Sequence, residues 1–158
     1  MNKNKHVRCY FDIETSLDMS VTVAGMYYET GKIVQLVGEE ITGKALKELF
    51  LNTIVYTYNG SRFDIPVVKD KIGLDINNIA PTHDLMYDCW SNNLYGGLKK
   101  VEKQLGISRE ITDVDGREAL WLWERYQRGD KKSLEILLKY NSEDVTNLEV
   151  LRKKLNVK

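Results

Sequence analysis

The chain has 158 residues, 42% hydrophobic and 29% charged, with only two prolines and with 23 basic residues matched by 23 acidic ones. That is the length of one domain spanning residues 1–158, able to bury a core without disulfides or a structural metal. A formal net charge of zero excludes binding of nucleic acid by the molecule's overall field, so an anionic ligand has to be held by a local patch or by bound metal. The opening MNKNKHVRCY lacks the apolar stretch of a signal peptide, and no run of about 18 apolar residues follows, so a cytoplasmic protein with no membrane partner is expected. Cys9 and Cys89 have neither the number nor the spacing of a disulfide framework or a zinc site, and read as buried small hydrophobes.

In chain order, HVRCYFDIE alternates Val7, Cys9, Phe11 and Ile13, which predicts a first strand. VTVAGMYY and TGKIVQLVGE, separated by a short turn containing Gly31, predict two more, completing a three-strand meander. Residues 42–52 predict a helix, with Thr42 as N-cap and Ala45, Leu46, Leu49 and Phe50 at helical spacing. TIVYTY, 53–58, reads as a buried strand that ends in the turn NGSR, and a helix opens near Pro66. A short strand around 79–85 follows, after which the chain reads as helical, with runs at 97–105, 117–128 and 131–156. In the second of these, Trp121 and Trp123 point to different faces, leaving one to be exposed. In the third, Leu134, Leu137, Leu138, Val145, Leu148, Leu151 and Leu155 form the apolar stripe. These elements predict an α/β domain with a mixed five-stranded sheet, an antiparallel meander followed by a βαβ unit, flanked by α-helices.

Carboxylates recur at the ends of these elements. In FDIET, Asp12 and Glu14 are two apart and project from one face of the strand, at the end where α/β sheets place ligands. In YNGSRFDIP, Asp64 follows a strand and a glycine turn; it reads equally as a helix N-cap, and Asn59 as a left-handed turn residue before Gly60. In LLKYNSEDV, Tyr140 and Asp144 share a helix face by their i, i+4 spacing. If Asp12, Glu14, Asp64 and Asp144 converge, their mutual repulsion raises their pKa values unless a cation neutralises them. All-oxygen ligands suit Mg²⁺ or Mn²⁺, and two such ions about 3.5–4 Å apart suit in-line displacement at phosphorus.

FDIET, YNGSRFD and YNSED resemble, in order, the three motifs DxE, Nx3(F/Y)D and YxxxD of the DEDD superfamily of 3'-5' exonucleases, which has the ribonuclease H-like (DnaQ-like) fold. GGLKKVEKQLGI, GREALWLWERYQRGD and LLKYNSEDV further resemble its stand-alone YprB-like branch, and the likeness runs from about residue 7 to 152. The resemblance implies that Asp12, Glu14, Asp64 and Asp144 hold two divalent ions, Mg²⁺ or Mn²⁺. With Lys139 and Tyr140 ahead of Asp144, where a histidine would stand five residues before it in the other subclass, it implies the DEDDy type. A tyrosine of pKa about 10 is a poor base at neutral pH, so Tyr140 orients the attacking water rather than deprotonating it.

The expected substrate is single-stranded DNA or RNA, degraded from its 3' end to nucleoside monophosphates; an endonuclease with the same metal centre and a non-catalytic nucleic-acid-binding module are the alternatives. Lys99 and Lys100, in the first turn of the helix after Gly96 and Gly97, are candidate phosphate contacts, against a flexible turn before a solvated helix face. Asn59 and Arg62 are further substrate candidates, and Phe63 either stacks on a terminal base or packs in the core. Asp84 reads as a strand-end or N-cap residue, with an extra acidic group at the site as the other reading.

Overall fold

The structure, a computed structural model, describes residues 5–158. Five strands, β1 (Val7–Thr15), β2 (Val21–Tyr28), β3 (Ile33–Val37), β4 (Thr53–Thr57) and β5 (Thr82–Asp84), form one sheet in the order β3-β2-β1-β4-β5. The first three pair antiparallel, whereas β4 and β5 run parallel to β1, as the meander and the βαβ unit require. The helices are α1 (Gly43–Phe50), α2 (Asp64–Ile72), α3 (Leu85–Ser91), α4 (Leu98–Leu105), α5 (Gly116–Gln127) and α6 (Lys131–Lys154).

The period-2 alternation of β1 divides the core into two layers. Cys9, Phe11 and Ile13 face α1 and α2, where they meet Leu46, Phe50, Ile65 and Val68. Tyr10 faces the other way, into a cluster with Leu85 of α3, Val101 of α4, and Val145, Leu148 and Leu151 of α6. Each fully buried aliphatic side chain of this kind contributes roughly 1.5–3 kcal/mol. A third cluster joins α5 to α6 above β2 and contains Val23, Leu122, Trp123, Leu137 and Tyr140. By the same alternation Asp12 and Glu14 lie on the face covered by α6.

The local signals act as expected. Thr42 caps α1 by accepting the Ala45 N–H at 3.1 Å. Trp121 is exposed and Trp123 buried, and Cys9 and Cys89 are buried free thiols. Two features depart from the sequence reading. The fifth strand is only three residues long, and the chain turns at once into α3, a seven-residue helix capped by Asp84. Asp64 is the first residue of α2 and not its cap; the cap position belongs to Phe63, whose side chain makes no capping bond. Among the described residues no helix is long and apolar enough to cross a membrane.

Candidate metal centre

Pairing between β1 and β4 stops at Tyr10 and Tyr56. Beyond that point the Ile13 N–H donates to Asp64 Oδ2 at 3.0 Å, so the carboxylate of α2 takes over where the strand partner ends. On the opposite side α6 crosses the sheet above Asp12. That approach depends on Gly25 of β2, which pairs with Asp12 of β1 on one side and Gln35 of β3 on the other. A Cβ there would lie 1.9 Å from Asn141 Oδ1. Asn141 is fully buried; its carboxamide accepts from Gln35 Nε2 at 3.0 Å and donates to Asp12 Oδ2 at 3.2 Å. A row across three strands thus fixes both the helix and the first carboxylate.

The result is that Asp12, Glu14 and Asp144 each offer an oxygen within 4.8 Å of the others. Asp64 is buried beside them with one oxygen committed to β1, and is not one of the three. Burial, and then the charges of Asp144, Asp64 and Glu14, hold the Asp12 carboxyl well above the usual carboxylate range. Burial and then Asp144 and Asp64 do the same to Glu14. Asp64 is pushed up to about 7, mainly by burial and against the N–H bond from Ile13. Asp144 is raised by burial even though Arg109 opposes the shift. The Tyr140 phenol is raised by burial and by the nearby charges of Asp144, Glu14 and Asp12, so it keeps its proton at neutral pH and offers an O–H donor.

Two clefts share Asp12, Tyr140 and Asp144. One, of about 280 Å³, opens toward Glu14 and Phe63; the other, of about 240 Å³, opens toward Tyr58, Lys99 and Lys100. A larger cleft of about 430 Å³ lies at the β1–β2 turn, lined by Asp18, Thr22 and Trp123, away from the carboxylates. Lys99 Nζ sits 4.3 Å from the centre of the Tyr140 ring and Arg109 Cζ 5.7 Å from it. Lys99 Nζ and Arg109 Nη1 are both buried without a hydrogen-bond partner. Arg109 reaches Asp144 through Nη2 and forks onto Glu102, with Nε to Oε2 at 2.5 Å and Nη2 to Oε1 at 2.7 Å.

A metal fits this donor set on the structure's own terms. Hard carboxylate oxygens converge, among the described residues only Arg109 pairs directly with any of the three, and Glu14 Oε1 is buried with no hydrogen-bond partner.

Of the other sequence candidates, Phe63 packs against the core, as one of its two readings had it, and also lines the cleft beside Glu14. Asn59 is the left-handed turn residue, with φ of 60°, and its N–H donates to Asp84 Oδ1 at 2.8 Å. Asp84 also accepts from Ser61 and caps α3, and it stands outside the carboxylate trio. Arg62 is exposed on that turn, and Lys100 is exposed at the rim of the second cleft. The sequence reading missed Gly25, Gln35, Asn141, Glu102 and Arg109. Asn141 lies three residues before Asp144, and Glu102 completes the i, i+3, i+4, i+7 stripe of Leu98, Val101 and Leu105, so helical spacing places both on buried faces. Arg109 sits in a loop and carries no periodic signal.

The chain spans about a quarter of a solved structure that it resembles, the family B DNA polymerase from the hyperthermophilic archaeon Pyrobaculum calidifontis. The TM-score is 0.75 at 15% identity, over 95% of this chain and 24% of that one. Two structures of the EXD2 exonuclease domain align more loosely, each with a TM-score of 0.42. The one soaked in Mn and GMP is 15% identical over 93% of this chain and 80% of that one. The one soaked in Mg and GMP is 17% identical over 99% and 87%. A search of the curated proteins finds no match. A family model described as RNase_H superfamily matches residues 9–156, from the middle of β1 to just past the end of α6 and so across every residue of the carboxylate site. The five-stranded mixed sheet is therefore ribonuclease H-like, and the chain belongs to the RNase_H superfamily.

Proposed function

We propose that this protein is a metal-dependent 3'-5' exonuclease of the DEDDy type, akin to the stand-alone YprB-like branch, acting on single-stranded DNA or RNA and releasing nucleoside monophosphates. The observation that carries the reading is the convergence of Asp12, Glu14 and Asp144 within 4.8 Å, with Asp64 buried alongside. The residues that would hold two ions, Mg²⁺ or Mn²⁺, are Asp12, Glu14, Asp64 and Asp144. Bound there, the ions supply charge neutralisation of the carboxylates, acidification of the attacking water and stabilisation of the leaving oxygen.

The chain's own groups divide the remaining work. Tyr140, kept neutral, orients the water through its hydroxyl. The unmade hydrogen bonds of Lys99 Nζ and Arg109 Nη1 are what a phosphodiester oxygen satisfies, with Lys99, which has no carboxylate partner among the described residues, supplying the charge. Phe63, at the mouth of the first cleft, stacks on the terminal base, while Asn59, Arg62 and Lys100 lie further out along the strand's path.

Purified protein with Mg²⁺ or Mn²⁺ is expected to shorten 5'-labelled DNA or RNA oligonucleotides stepwise from the 3' end. The Asp144→Asn variant is expected to leave them intact. Metal binding without any degradation overturns the reading. Cleavage of a circular single strand, which offers no end, moves the activity to an endonuclease with the same centre. Matched DNA and RNA substrates in the same assay decide which sugar is preferred.

A further inference from the structure

Arg109 is placed by a construction that the metal reading does not by itself explain. Gly106 ends α4 in the left-handed region, with φ of 69°, and Ile107 N–H returns to Glu102 O at 2.8 Å. The loop that follows is tied down from α6 on both sides of Asp144. Glu143 accepts from the Glu110 N–H at 2.9 Å and from the Ile111 N–H at 3.2 Å. Asn147 donates to Ser108 O at 3.3 Å and to Glu102 Oε2 at 3.4 Å. Between these ties Arg109 enters with its side chain only 5% exposed, against 2% for Glu102 and 11% for Asp144.

The sharing of its donors is unequal. Glu102 takes the planar fork through both oxygens, the arrangement that most fully compensates a guanidinium. Asp144 receives a single bond, from Nη2 to Oδ1, which leaves its second oxygen outside the ion pair. Three charges in a row, negative, positive and negative, sum to minus one. The arginine fixes the direction of the Asp144 carboxylate without cancelling it.

We infer that Arg109, forked onto Glu102 through Nε and Nη2, is a positioning residue that holds Asp144 as a metal ligand. The inference rests on the metal-centre reading above and adds to it a Glu102–Arg109 clamp. An ion pair kept only for stability predicts a loss of folding free energy and no change in metal affinity once the chain is folded. A positioning clamp predicts a change in metal affinity, because partners that orient a ligand from behind typically contribute 10–100-fold.

The test is direct Mn²⁺ binding to the intact chain, by calorimetry and by the electron paramagnetic resonance of free Mn²⁺, with no nucleic acid present. Arg109→Met is expected to weaken Mn²⁺ about 10–100-fold relative to the parent, with Asp12, Glu14 and Asp64 untouched. Arg109→Lys is expected to fall between, since an ammonium cannot reproduce the fork on Glu102 while bonding Asp144. Glu102→Gln is expected to weaken binding too, because it turns the arginine's charge onto Asp144. If Arg109→Met fails to fold, Arg109→Lys and Glu102→Gln carry the comparison, with circular dichroism confirming their fold.

Variants that bind Mn²⁺ within threefold of the parent, or more tightly, overturn the clamp while the proposed activity stands. A parent that binds Mn²⁺ and loses affinity on substitution, yet degrades no oligonucleotide, overturns the activity and leaves the clamp. A parent that binds no Mn²⁺ overturns both.

Discussion

Replacing Asp12 by Asn is expected to make the metal-free protein more stable at pH 8 and indifferent to added Mn²⁺. The amide oxygen of Asn still accepts the Asn141 N–H that reaches Asp12 Oδ2 at 3.2 Å, so the packing of α6 on the sheet is retained. What is removed is one of three carboxylates whose oxygens lie within 4.8 Å. Two full charges at that separation repel by about 3 kcal/mol at an effective dielectric of about 20. Protons retained by the cluster relieve part of this, leaving a gain of roughly 1–3 kcal/mol, or about 2–12 °C in Tm for a chain of this size. The pH dependence follows from the raised carboxyl groups. Because Asp12, Glu14, Asp64 and Asp144 all sit above their ordinary values, the folded state binds more protons than the unfolded one. The contribution of these carboxyls is therefore fully present below about pH 4 and is lost as pH rises through the value of about 7 held by Asp64 and through the raised values of Asp12 and Glu14. Thermal unfolding at pH 4, 6 and 8, in EDTA and in Mn²⁺, reads all of this. The parent should gain most from Mn²⁺ at pH 8, and Asp12→Asn should exceed the parent in EDTA at pH 8 but match it at pH 4. A variant less stable than the parent at pH 8 in EDTA, or equally shifted at pH 4 and pH 8, refutes the crowded-anion account.

Gly25→Ala places a methyl 1.9 Å from Asn141 Oδ1 and should destabilise the fold by about 1–3 kcal/mol in urea titrations. Pairing it with Asn141→Ala should recover part of that loss, and strict additivity would show that the contact is not the cause. Tyr140→Phe keeps the ring beneath Lys99 but removes the hydroxyl, so oligonucleotide degradation should fall about 10–100-fold with Mn²⁺ affinity retained; full activity would remove the hydroxyl from the mechanism. Leu148→Ala, in the buried cluster with Tyr10 and Val145, should cost about 2–5 kcal/mol in the same urea titration without altering the metal response.

What could be read from the sequence was whatever a short period or a cap encodes. Alternation in FDIET placed Asp12 and Glu14 on one face, helical spacing in YNSED paired Tyr140 with Asp144, and Thr42 announced α1. What could not be read depended on contacts between distant residues. The Asp64 bond to the Ile13 N–H spans 51 positions, and nothing near Asp64 distinguishes that role from a helix cap. Arg109 meets Asp144 across 35 positions, from a loop in which no pattern fixes the direction of a side chain. The helix α3 lies in the stretch read as helical, behind a residue, Asp84, read as a strand end or N-cap, but it does not stand out as a run of its own because seven residues are too few to show a period.

The ring of Tyr140 belongs to the same buried cluster as Val23, Leu122, Trp123 and Leu137. On the proposed mechanism, the group that orients the water is thus also part of the seat on which α5 rests. Stability and reactivity share one side chain, so a change at Ala119 or Leu122, which touch no ligand, is transmitted to the angle of a phenol. Under the proposed activity this makes α5 a tuning element: drift in its inner face would alter turnover while every carboxylate stays in place. For an engineer it is a reason to measure the site whenever the α5 interface is changed.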